Sequence, residues 1–441
     1  MKNDSKAFIK FTEIMDSLAN RLTSINGLMA VKDAFIALMP VVIAGSIAIL
    51  FAHVVFSPTT GLALWVPVLA GLQPMFTVVQ FTTMGMISVY LSFAVAFQYS
   101  KYYDGTNGVV AGFIAIGGFL ILIPTYLTAG DVVINNAISV VSTDARGMFL
   151  AIIVGLGSTR LFVALSRSEK LKIKMPAGVP SNVSSSFEVL FPVIFSLFII
   201  SGIGFAFHSA TGMFASEAIF QFIQVPAAAV MQHPLGIIAL ALMSQLLWSV
   251  GIHGGNLTGA VRNPLGIAAL NQNADNFAAG EPMTEIFTVA LWDNFASIGG
   301  AGTTTGLVIA IFLFCKRKDI RAIGMIALAP MFFHINEPLI FGIPIVLNPI
   351  LIIPFVIAPI VAISIGYLSI YLGFMSHQFI MIPWTTPMFI DTFLTTGGSI
   401  GAVITQVVAI IAATAIYTPF VIIMNRQKPQ DGEEEVAQEV A

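Results

Sequence analysis

The segment MFFHINEPLIFGIPIVLNP (331–349) places one carboxylate, Glu337, in one of the most apolar regions of the chain. The nearest charged residue upstream is Arg321, and the nearest downstream is Asp391. An ionisable side chain at membrane depth is costly and marks a functional site by default. Because Pro338 pushes the preceding residue out of the helical region, we predict a broken helix at Glu337. A carboxylate in a broken helix can hold a hydroxyl group and act as a base. The alternative is an internal ion pair, although the nearest cations in the sequence look cytoplasmic.

A histidine in a glycine-rich stretch is the second candidate. Residues 251–266, GIHGGNLTGAVRNPLG, place His253 between glycines, with Asn256 and Thr258 after it and Trp248 five residues before it. Glycine permits close backbone approach and positive φ, which suits a tight turn that presents one side chain to a ligand. The alternative is a histidine that packs and hydrogen-bonds inside the protein.

Three further residue types are weaker candidates. Trp384 lies between two prolines in MIPWTTPMF (381–389), where its ring would stack on a sugar. A tryptophan at the membrane interface fits equally well. His233 is followed by PLG, a pattern that also opens a helix. His334 and Asp391 are left out of the predicted site because a structural role explains them equally well.

The polar groups together favour a neutral ligand. Asn336 adjoins Glu337, and Asn182 in PSNVSSSF either caps the following helix or points into a cavity, with capping the default from spacing. Amides, an imidazole, a carboxylate and tryptophans in one cavity suit a polyol such as a sugar. No His or Cys cluster has zinc spacing, and there is no Walker or GxGxxG sequence, so we expect no metal, no cofactor and no nucleotide hydrolysis.

The composition predicts an all-α integral membrane protein. Hydrophobic residues make up 57% of the 441 residues and charged residues only 9%, against roughly 25% charged residues in soluble domains. Basic residues cluster at 2–21, 160–174, 316–321 and 426–428. The positive-inside rule places all four clusters on the cytoplasmic side. We therefore expect both termini inside and an even number of spans.

Hydropathy predicts ten spans and three segments that are too polar or too short to span. Irregular backbone at membrane depth must be buried in protein or line a watery cavity. We therefore expect re-entrant hairpins around an internal site at 251–298, 334–348 and 376–398. Residues 8–25 have the spacing of an amphipathic helix on the inner surface or of an ordinary cytosolic helix. The predicted spans are near 32–54, 76–98, 108–128, 146–166, 186–208, 234–250, 299–315, 322–333, 349–373 and 400–424.

Four motifs, in this order, resemble the membrane permease component, enzyme IIC (EIIC), of the bacterial sugar phosphotransferase system. They are GVPSNVSSSFEVLFP, GIHGGNLTGAVRNPL, DNFASIGGAGTTTGL and HINEPLIFGIPIVLNP. The resemblance covers essentially the whole chain and is strongest to the lactose/cellobiose/diacetylchitobiose family. It implies a homodimer with about ten transmembrane helices, two re-entrant hairpins and amphipathic surface helices, in the bacterial cell membrane. The implied divisions are an N-terminal amphipathic segment (1–30), a dimerisation domain (31–215), a sugar-binding domain (216–425) and an acidic tail (426–441).

The resemblance also implies a mechanism and a set of roles. A disaccharide is phosphorylated on its 6-hydroxyl as it is delivered to the cytoplasm, and the donor is a phosphocysteine on the partner protein EIIB, which EIIA supplies. Glu337 is expected to orient the 6-hydroxyl and remove its proton, and His253 to assist the transfer. The residues expected to bind other parts of the sugar are Asn182, His233, Trp248, Asn336 and Trp384.

The single cysteine indicates that the phosphoryl donor is another protein. Cys315 precedes Lys316-Arg317-Lys318 at a helix end, without a loop that cradles phosphate. The chain is therefore expected to be a free-standing EIIC that recruits separate EIIB and EIIA. Because lactose permeases are often fused to EIIB, cellobiose or N,N′-diacetylchitobiose is favoured over lactose. Two other functions stay open, a proton-coupled sugar transporter that uses Glu337 and a membrane sensor that transports nothing.

Overall fold

The structure is a computed structural model in which most of the chain is helical. It describes residues 23–58, 62–129, 132–173, 180–343 and 350–425, and the single residues 10, 13, 14, 17, 21, 175, 176, 345 and 348. Most of the predicted amphipathic segment 8–25 and the whole acidic tail 426–441 lie outside these residues. The helices are α1 Asn26–Ile49, α2 Gln73–Thr83, α3 Ile87–Ser100, α4 Gly108–Ile121, α5 Val140–Thr143, α6 Met148–Ser166, α7 Ser181–Glu188, α8 Leu190–Thr211, α9 Ala215–Ile219, α10 Val225–Gln232, α11 Pro234–Ser249, α12 Gly254–Ala279, α13 Val289–Leu291, α14 Thr305–Phe314, α15 Lys318–Met331, α16 Glu337–Gly342, α17 Ile352–Tyr371, α18 Ile390–Thr395 and α19 Ile400–Met424.

Long apolar helices confirm the class of an all-α membrane protein. Within the described residues, six helical stretches are long and apolar enough to cross a membrane, and a seventh results if Ala215–Gln232 and Pro234–Ser249 form one broken span. Shorter helices occupy three of the predicted spans (α4, α14 and α15), so the total of ten stays a prediction. The six stretches are Asn26–Val55, Pro67–Ser100, Ala145–Ser166, Leu190–Thr211, Ile352–Tyr371 and Ile400–Met424.

The predicted span 108–128 is wrong at its C-terminal end. Helix α4 stops at Ile121, and the chain then forms strand β1, Tyr126–Ala129, which pairs antiparallel with β2, Val132–Asn135. Pro124 lies in the connection and cannot donate a backbone hydrogen bond to a continuing helix. The residues that follow are rich in threonine, valine and isoleucine, which favour strands.

The described chain divides into two compact units. The N-terminal unit consists of Ile25–Ala48 and Pro74–Ala228. Its core includes a cluster of small and bulky apolar side chains from α3, α4, α6 and α8, with Phe162 fully buried at its centre. Small residues let helices approach closely, as expected for this half of the chain. The predicted boundary at residue 215 and the role of this part in dimerisation stay predictions.

The C-terminal unit consists of Met1–Ser24, Ile49–Gln73 and Ala229–Ala441. Helices α14, α17 and α19 pack together as its apolar framework. At Gly306 of α14, a Cβ would lie 2.6 Å from the backbone of Ala413 in α19. This close approach fixes the loop that precedes α14, which lies next to the candidate site.

The three polar segments of the C-terminal half differ in how regular they are. Residues 251–298 contain the long helix α12, residues 334–348 contain the short helix α16 between irregular stretches, and residues 376–398 are mostly irregular in the residues described. Asn273 of α12 joins two of the segments, since its Nδ2 donates to the carbonyls of Glu285 (2.7 Å) and Gln378 (3.0 Å). Polar side chains thus satisfy the backbone of these irregular stretches, as an apolar environment requires.

Candidate functional site

The helix breaks just before Glu337, as predicted, but Glu337 itself is the first residue of the next helix and not outside the helical region. Helix α15 ends at Met331, residues 332–336 form turns and irregular backbone, and α16 begins at Glu337. An acidic residue is favoured in the first turn of a helix by the helix dipole. The Glu337 side chain is exposed, so its two oxygens are accessible to a ligand.

Asn336, immediately before the acid, is buried and holds a glycine-rich loop. Its Nδ2 donates to the carbonyl of Ala301 (2.7 Å) and to Oγ1 of Thr304 (2.8 Å). Gly300 has φ +100°, and a Cβ there would lie 2.3 Å from Cγ of Asn336. Only glycine fits at this position. The two N–H groups of Asn336 therefore bind protein, and its predicted contact with substrate stays a prediction.

His334 also connects the segment before Glu337 to the glycine-rich loop. The side chain is buried, and the backbone has φ +62°, a conformation that a histidine seldom adopts. Nε2 lies 3.3 Å from Oδ2 of Asp391, and Nδ1 lies 3.0 Å from the carbonyl of Ser297. Asp391 is also buried and lies within 3.2 Å of Nε2 of Gln406. His334 and Asp391 both bind groups of the protein itself. They were left out of the predicted site, and no ligand contact is assigned to them.

His253 begins helix α12 as its N-cap. Its Nδ1 accepts a hydrogen bond from the backbone N–H of Asn256 at 3.1 Å. A neutral imidazole that accepts at Nδ1 carries its proton on Nε2, and that atom is then a donor. Gly254 allows the tight turn, because a Cβ there would lie 1.9 Å from the carbonyl oxygen of Ser244. The exposed ring of His253 is therefore oriented by the bond at Nδ1.

His233 is held in the same way one helix earlier. It is the N-cap of α11, and its Nδ1 accepts from the backbone N–H of Leu235 at 3.2 Å. The expectation that HPLG opens a helix is confirmed. Capping does not exclude ligand binding, since the ring is exposed and the neutral tautomer carries its proton on Nε2.

The two predicted tryptophans differ in exposure. Trp248 is 7% exposed, and its ring lies 4.4 Å from that of His253, measured between centroids. Trp384 is 46% exposed in an irregular segment that is joined to the Glu337 segment, because the N–H of Met388 donates to the carbonyl of Phe332 (3.1 Å). Trp384 thus offers the larger free ring face for stacking.

Asn182 belongs to the N-terminal unit, in helix α7. The prediction that it caps the helix is wrong, because Pro180 is the cap and Asn182 lies in the first turn. Its side chain lies outside the described part of the structure. In the C-terminal unit the structure joins His253 with Trp248 and places Asn336 beside Glu337. Within the described residues, no hydrogen bond or ring contact joins His233 or Trp384 to either pair.

Comparison with known proteins identifies the family. The family model described as "Phosphotransferase system, EIIC" matches residues 32–359. The chain belongs to this family.

Solved and curated relatives agree with the assignment. This EIIC chain is 30% identical to the lichenan permease IIC component of Bacillus subtilis (strain 168), over 93% of this chain and 92% of that protein. It is 30% identical to the cellobiose-specific EIIC component of Geobacillus stearothermophilus, with the same coverages. The crystal structure of ChbC, the IIC component from the N,N′-diacetylchitobiose-specific phosphotransferase system, superposes with a TM-score of 0.87. Its sequence identity is 27%, and the match covers 96% of this chain and 97% of ChbC.

The EIIC chain contains a group of charged residues, in which His334 and Asp391 are buried and Arg262 and Asp293 half-buried, that the sequence did not predict. Asp293 follows Trp292, and the guanidinium of Arg262 lies 4.9 Å from the Trp292 ring centroid. Asp293 interacts electrostatically with Arg262, His334 and Asp391, and His334 also interacts with Asp391. In the sequence, Arg262 of α12 and Asp293 can be recognised as charged residues in apolar surroundings. Nothing in their spacing along the chain pairs them.

The structure also places the single cysteine of this EIIC chain and the residue types that bind metals. Within the described residues, no group of three or more His, Cys, Asp or Glu side chains could hold a metal ion. Cys315 is buried at the end of α14, with its Sγ 3.8 Å from the carbonyl of Arg317. A buried thiol is poorly placed to receive a phosphoryl group.

Proposed function

We propose that this EIIC chain binds a β-linked disaccharide, cellobiose or N,N′-diacetylchitobiose, and delivers it to the cytoplasm as the 6-phosphate. Three of its relatives are named for lichenan, cellobiose and N,N′-diacetylchitobiose, which are all β-linked sugars, and others are named for galactose and lactose. The observation that carries the proposal is the exposed Glu337 carboxylate beside a buried, hydrogen-bonded frame. A neutral sugar hydroxyl is the chemical partner that suits it.

The proposed reaction transfers a phosphoryl group from phosphocysteine on EIIB to the sugar. The 6-hydroxyl oxygen attacks the phosphorus atom, so that an O–P bond forms as the S–P bond breaks. The cysteine of EIIB leaves as a thiolate, and the hydroxyl proton passes to the Glu337 carboxylate. Glu337 first orients the hydroxyl as a hydrogen-bond acceptor and then acts as general base.

The remaining residues of the candidate site recognise the sugar. His253 and His233 donate from Nε2, because Nδ1 of each ring accepts a backbone N–H. His253 assists the transfer at the 6-hydroxyl. Trp384 stacks on a sugar ring through its exposed face, and Trp248 orients His253 from behind. Asn336 contributes its amide oxygen, and Asn182 adds a further amide.

The proposal includes an assembly. The chain works as a homodimer in the bacterial cell membrane, with both termini cytoplasmic and with EIIA supplying phosphoryl groups to EIIB. Helix α8 exposes several aromatic side chains, among them Phe198 (73%) and Phe205 (76%). Such a surface suits lipid or a second copy of the chain.

Reconstitution tests the proposal. The full chain is placed in vesicles with EIIA, phosphorylated EIIB and radiolabelled cellobiose or N,N′-diacetylchitobiose inside or outside. We expect labelled sugar 6-phosphate to accumulate only when phosphorylated EIIB is present. Glu337→Gln should lower the transfer rate by about 10²- to 10⁴-fold, the usual contribution of a general base, while sugar binding stays measurable. Glu281→Gln, an exposed acid of the same unit, is the matched control and should transfer normally.

Other outcomes would support other functions. Accumulation of unphosphorylated sugar that collapses with a protonophore would replace the proposal with a proton-coupled transporter that uses Glu337. Phosphorylation of lactose in preference to both other disaccharides would overturn only the choice of substrate. Normal transfer by Glu337→Gln would remove Glu337 from the mechanism.

A further inference from the structure

His334 lies where three parts of the C-terminal unit meet. It belongs to the segment before Glu337, its Nε2 faces Asp391 in α18 at 3.3 Å, and its Nδ1 faces the loop 297–303. The imidazole is buried and held on both sides. The contacts of the His334 ring therefore help to determine the position of Glu337, three residues later.

Nδ1 of His334 has two possible partners that cannot be satisfied together. It lies 3.0 Å from the carbonyl oxygen of Ser297 and 3.2 Å from the backbone nitrogen of Gly299. A protonated Nδ1 donates to the carbonyl of Ser297, whereas an unprotonated Nδ1 accepts the N–H of Gly299. The two hydrogen-bond arrangements thus differ by one proton.

The surroundings of Asp391 favour the protonated ring. The carboxylate faces the N–H of Thr392 at 2.6 Å and Nε2 of Gln406 at 3.1 and 3.2 Å, which are all donors. A buried carboxylate left without a compensating charge is strongly destabilising.

Asp391 is the carboxylate that faces the His334 ring directly, with its Oδ2 3.3 Å from Nε2, and an adjacent carboxylate favours the imidazolium. Asp391 in α18 and Asp293 in segment 292–296 both act on it, and Arg262 in α12 acts on Asp293. Glu337 is the acid on the same segment as His334.

We propose that His334 is a positioning residue whose protonation state sets the affinity for sugar. The imidazolium ties Ser297 and Asp391 to the segment that carries Glu337. Loss of the proton moves the bond from Ser297 to Gly299, where φ of +70° and +100° at Gly299 and Gly300 permits the backbone to shift. Asn336 passes the shift on through its bonds to Ala301 and Thr304. This inference rests on the proposed function, in which Glu337 holds the sugar.

Sugar binding as a function of pH tests the proposal. The purified full chain is titrated with cellobiose and with N,N′-diacetylchitobiose from pH 6 to pH 9 by calorimetry. For the wild type we expect the dissociation constant to rise by about fivefold or more, because it scales inversely with the fraction of the competent state. His334→Asn, which tolerates positive φ and does not titrate, should bind with a flat profile. His208→Gln, at an exposed histidine of α8, is the matched control and should keep the wild-type profile.

A second variant tests the ion pair between His334 and Asp391. The protonation of the two ring nitrogens of His334 is measured separately, in the absence of sugar. Asp391→Asn removes the anion that favours the imidazolium, so the midpoint of the affinity profile should move to lower pH. Nitrogen NMR of ¹⁵N-histidine protein, with His334 assigned by difference from His334→Asn, should show both ring nitrogens protonated at pH 6. A neutral ring at pH 6, a flat wild-type profile or an unchanged slope in His334→Asn would overturn this proposal. Failure of both sugars to bind at every pH would instead overturn the proposed function. The NMR measurement needs no sugar, so it tests the protonation of His334 in either case.

Discussion

His253 and His233 are held in place in a different way from the segment that carries Glu337. Nδ1 of His253 and of His233 binds a backbone N–H only three and two residues further along the chain. Asn336 and His334 bind Thr304, Ala301 and Ser297, which are 32 to 37 residues away, and His334 also binds Asp391 in a third segment. Local bonds form with the helix itself, whereas the long-range bonds form only when separate segments of the C-terminal unit have folded together.

The comparison indicates where the candidate site is vulnerable. An N-cap can be replaced by another capping residue without rearranging neighbouring elements. A buried amide with two long-range partners cannot be replaced without leaving polar groups unpaired. We therefore expect substitutions at Asn336 and its partners to lower both stability and function. Substitutions at His253 and His233 that keep a capping residue should lower function and leave stability unchanged.

The largest effect is expected from Gly300→Ala. A Cβ at this position would lie 2.3 Å from Cγ of Asn336, and φ is +100°. Displacing Asn336 in addition to straining the backbone should destabilise the protein by about 3 kcal/mol and abolish measurable sugar binding. The measurements are thermal unfolding in detergent and calorimetry.

Gly280→Ala is the matched control for this prediction. Gly280 has φ +75°, and a Cβ there would have nothing within 4 Å. It should cost only the backbone strain, about 1 kcal/mol, and leave sugar binding intact. Equal losses in the two variants would show that the contact with Asn336 is unimportant.

Asn336→Asp tests the same frame without a change of size. The substitution replaces the donor Nδ2 with an acceptor beside the carbonyl of Ala301, so that both bonds of 2.7 and 2.8 Å are lost. We expect a loss of about 2 kcal/mol in stability and a fall in sugar affinity. Asn256→Asp, at an exposed asparagine, serves as the control. Wild-type stability and affinity in Asn336→Asp would contradict the role assigned to the frame.

His253→Asn separates capping from chemistry. Asparagine is a good N-cap, so the free energy of unfolding should change by less than about 0.5 kcal/mol. The rate of phosphoryl transfer should nevertheless fall at least about tenfold, because the donor at Nε2 is lost. His253→Ala should lose the cap as well, at about 1 kcal/mol. A normal transfer rate in His253→Asn would reduce His253 to a capping residue.

The smallest effect is expected from His233→Ser. Serine also caps helices well, and the ring of His233 has no partner beyond Leu235 within the described residues. Stability should be unchanged, and the dissociation constant for sugar should rise by about fivefold, as for one lost hydrogen bond. An unchanged constant in calorimetry would assign His233 to capping alone.

Short-range features were predictable from the sequence because neighbouring residues determine them. Pro338 was sufficient to predict the break at Glu337, and His233 before PLG predicted a helix start. Asn182 shows the limit, since Pro180 competes for the same helix end and becomes the cap. The paired strands 126–129 and 132–135 were not predicted because their apolar residues continue the hydropathy of α4, and periodicity does not separate a short apolar strand from a helix.

The amino-acid sequence alone determined the membrane class, the family motifs and the carboxylate at a helix break, because these depend on composition and on spacings of a few residues. The tertiary structure alone decided what holds that carboxylate in place. The bonds of Asn336 to Ala301 and Thr304, and of His334 to Ser297 and Asp391, join segments far apart in the chain. A buried polar group must find a partner wherever the fold brings one, and no pattern in the sequence specifies which partner that is.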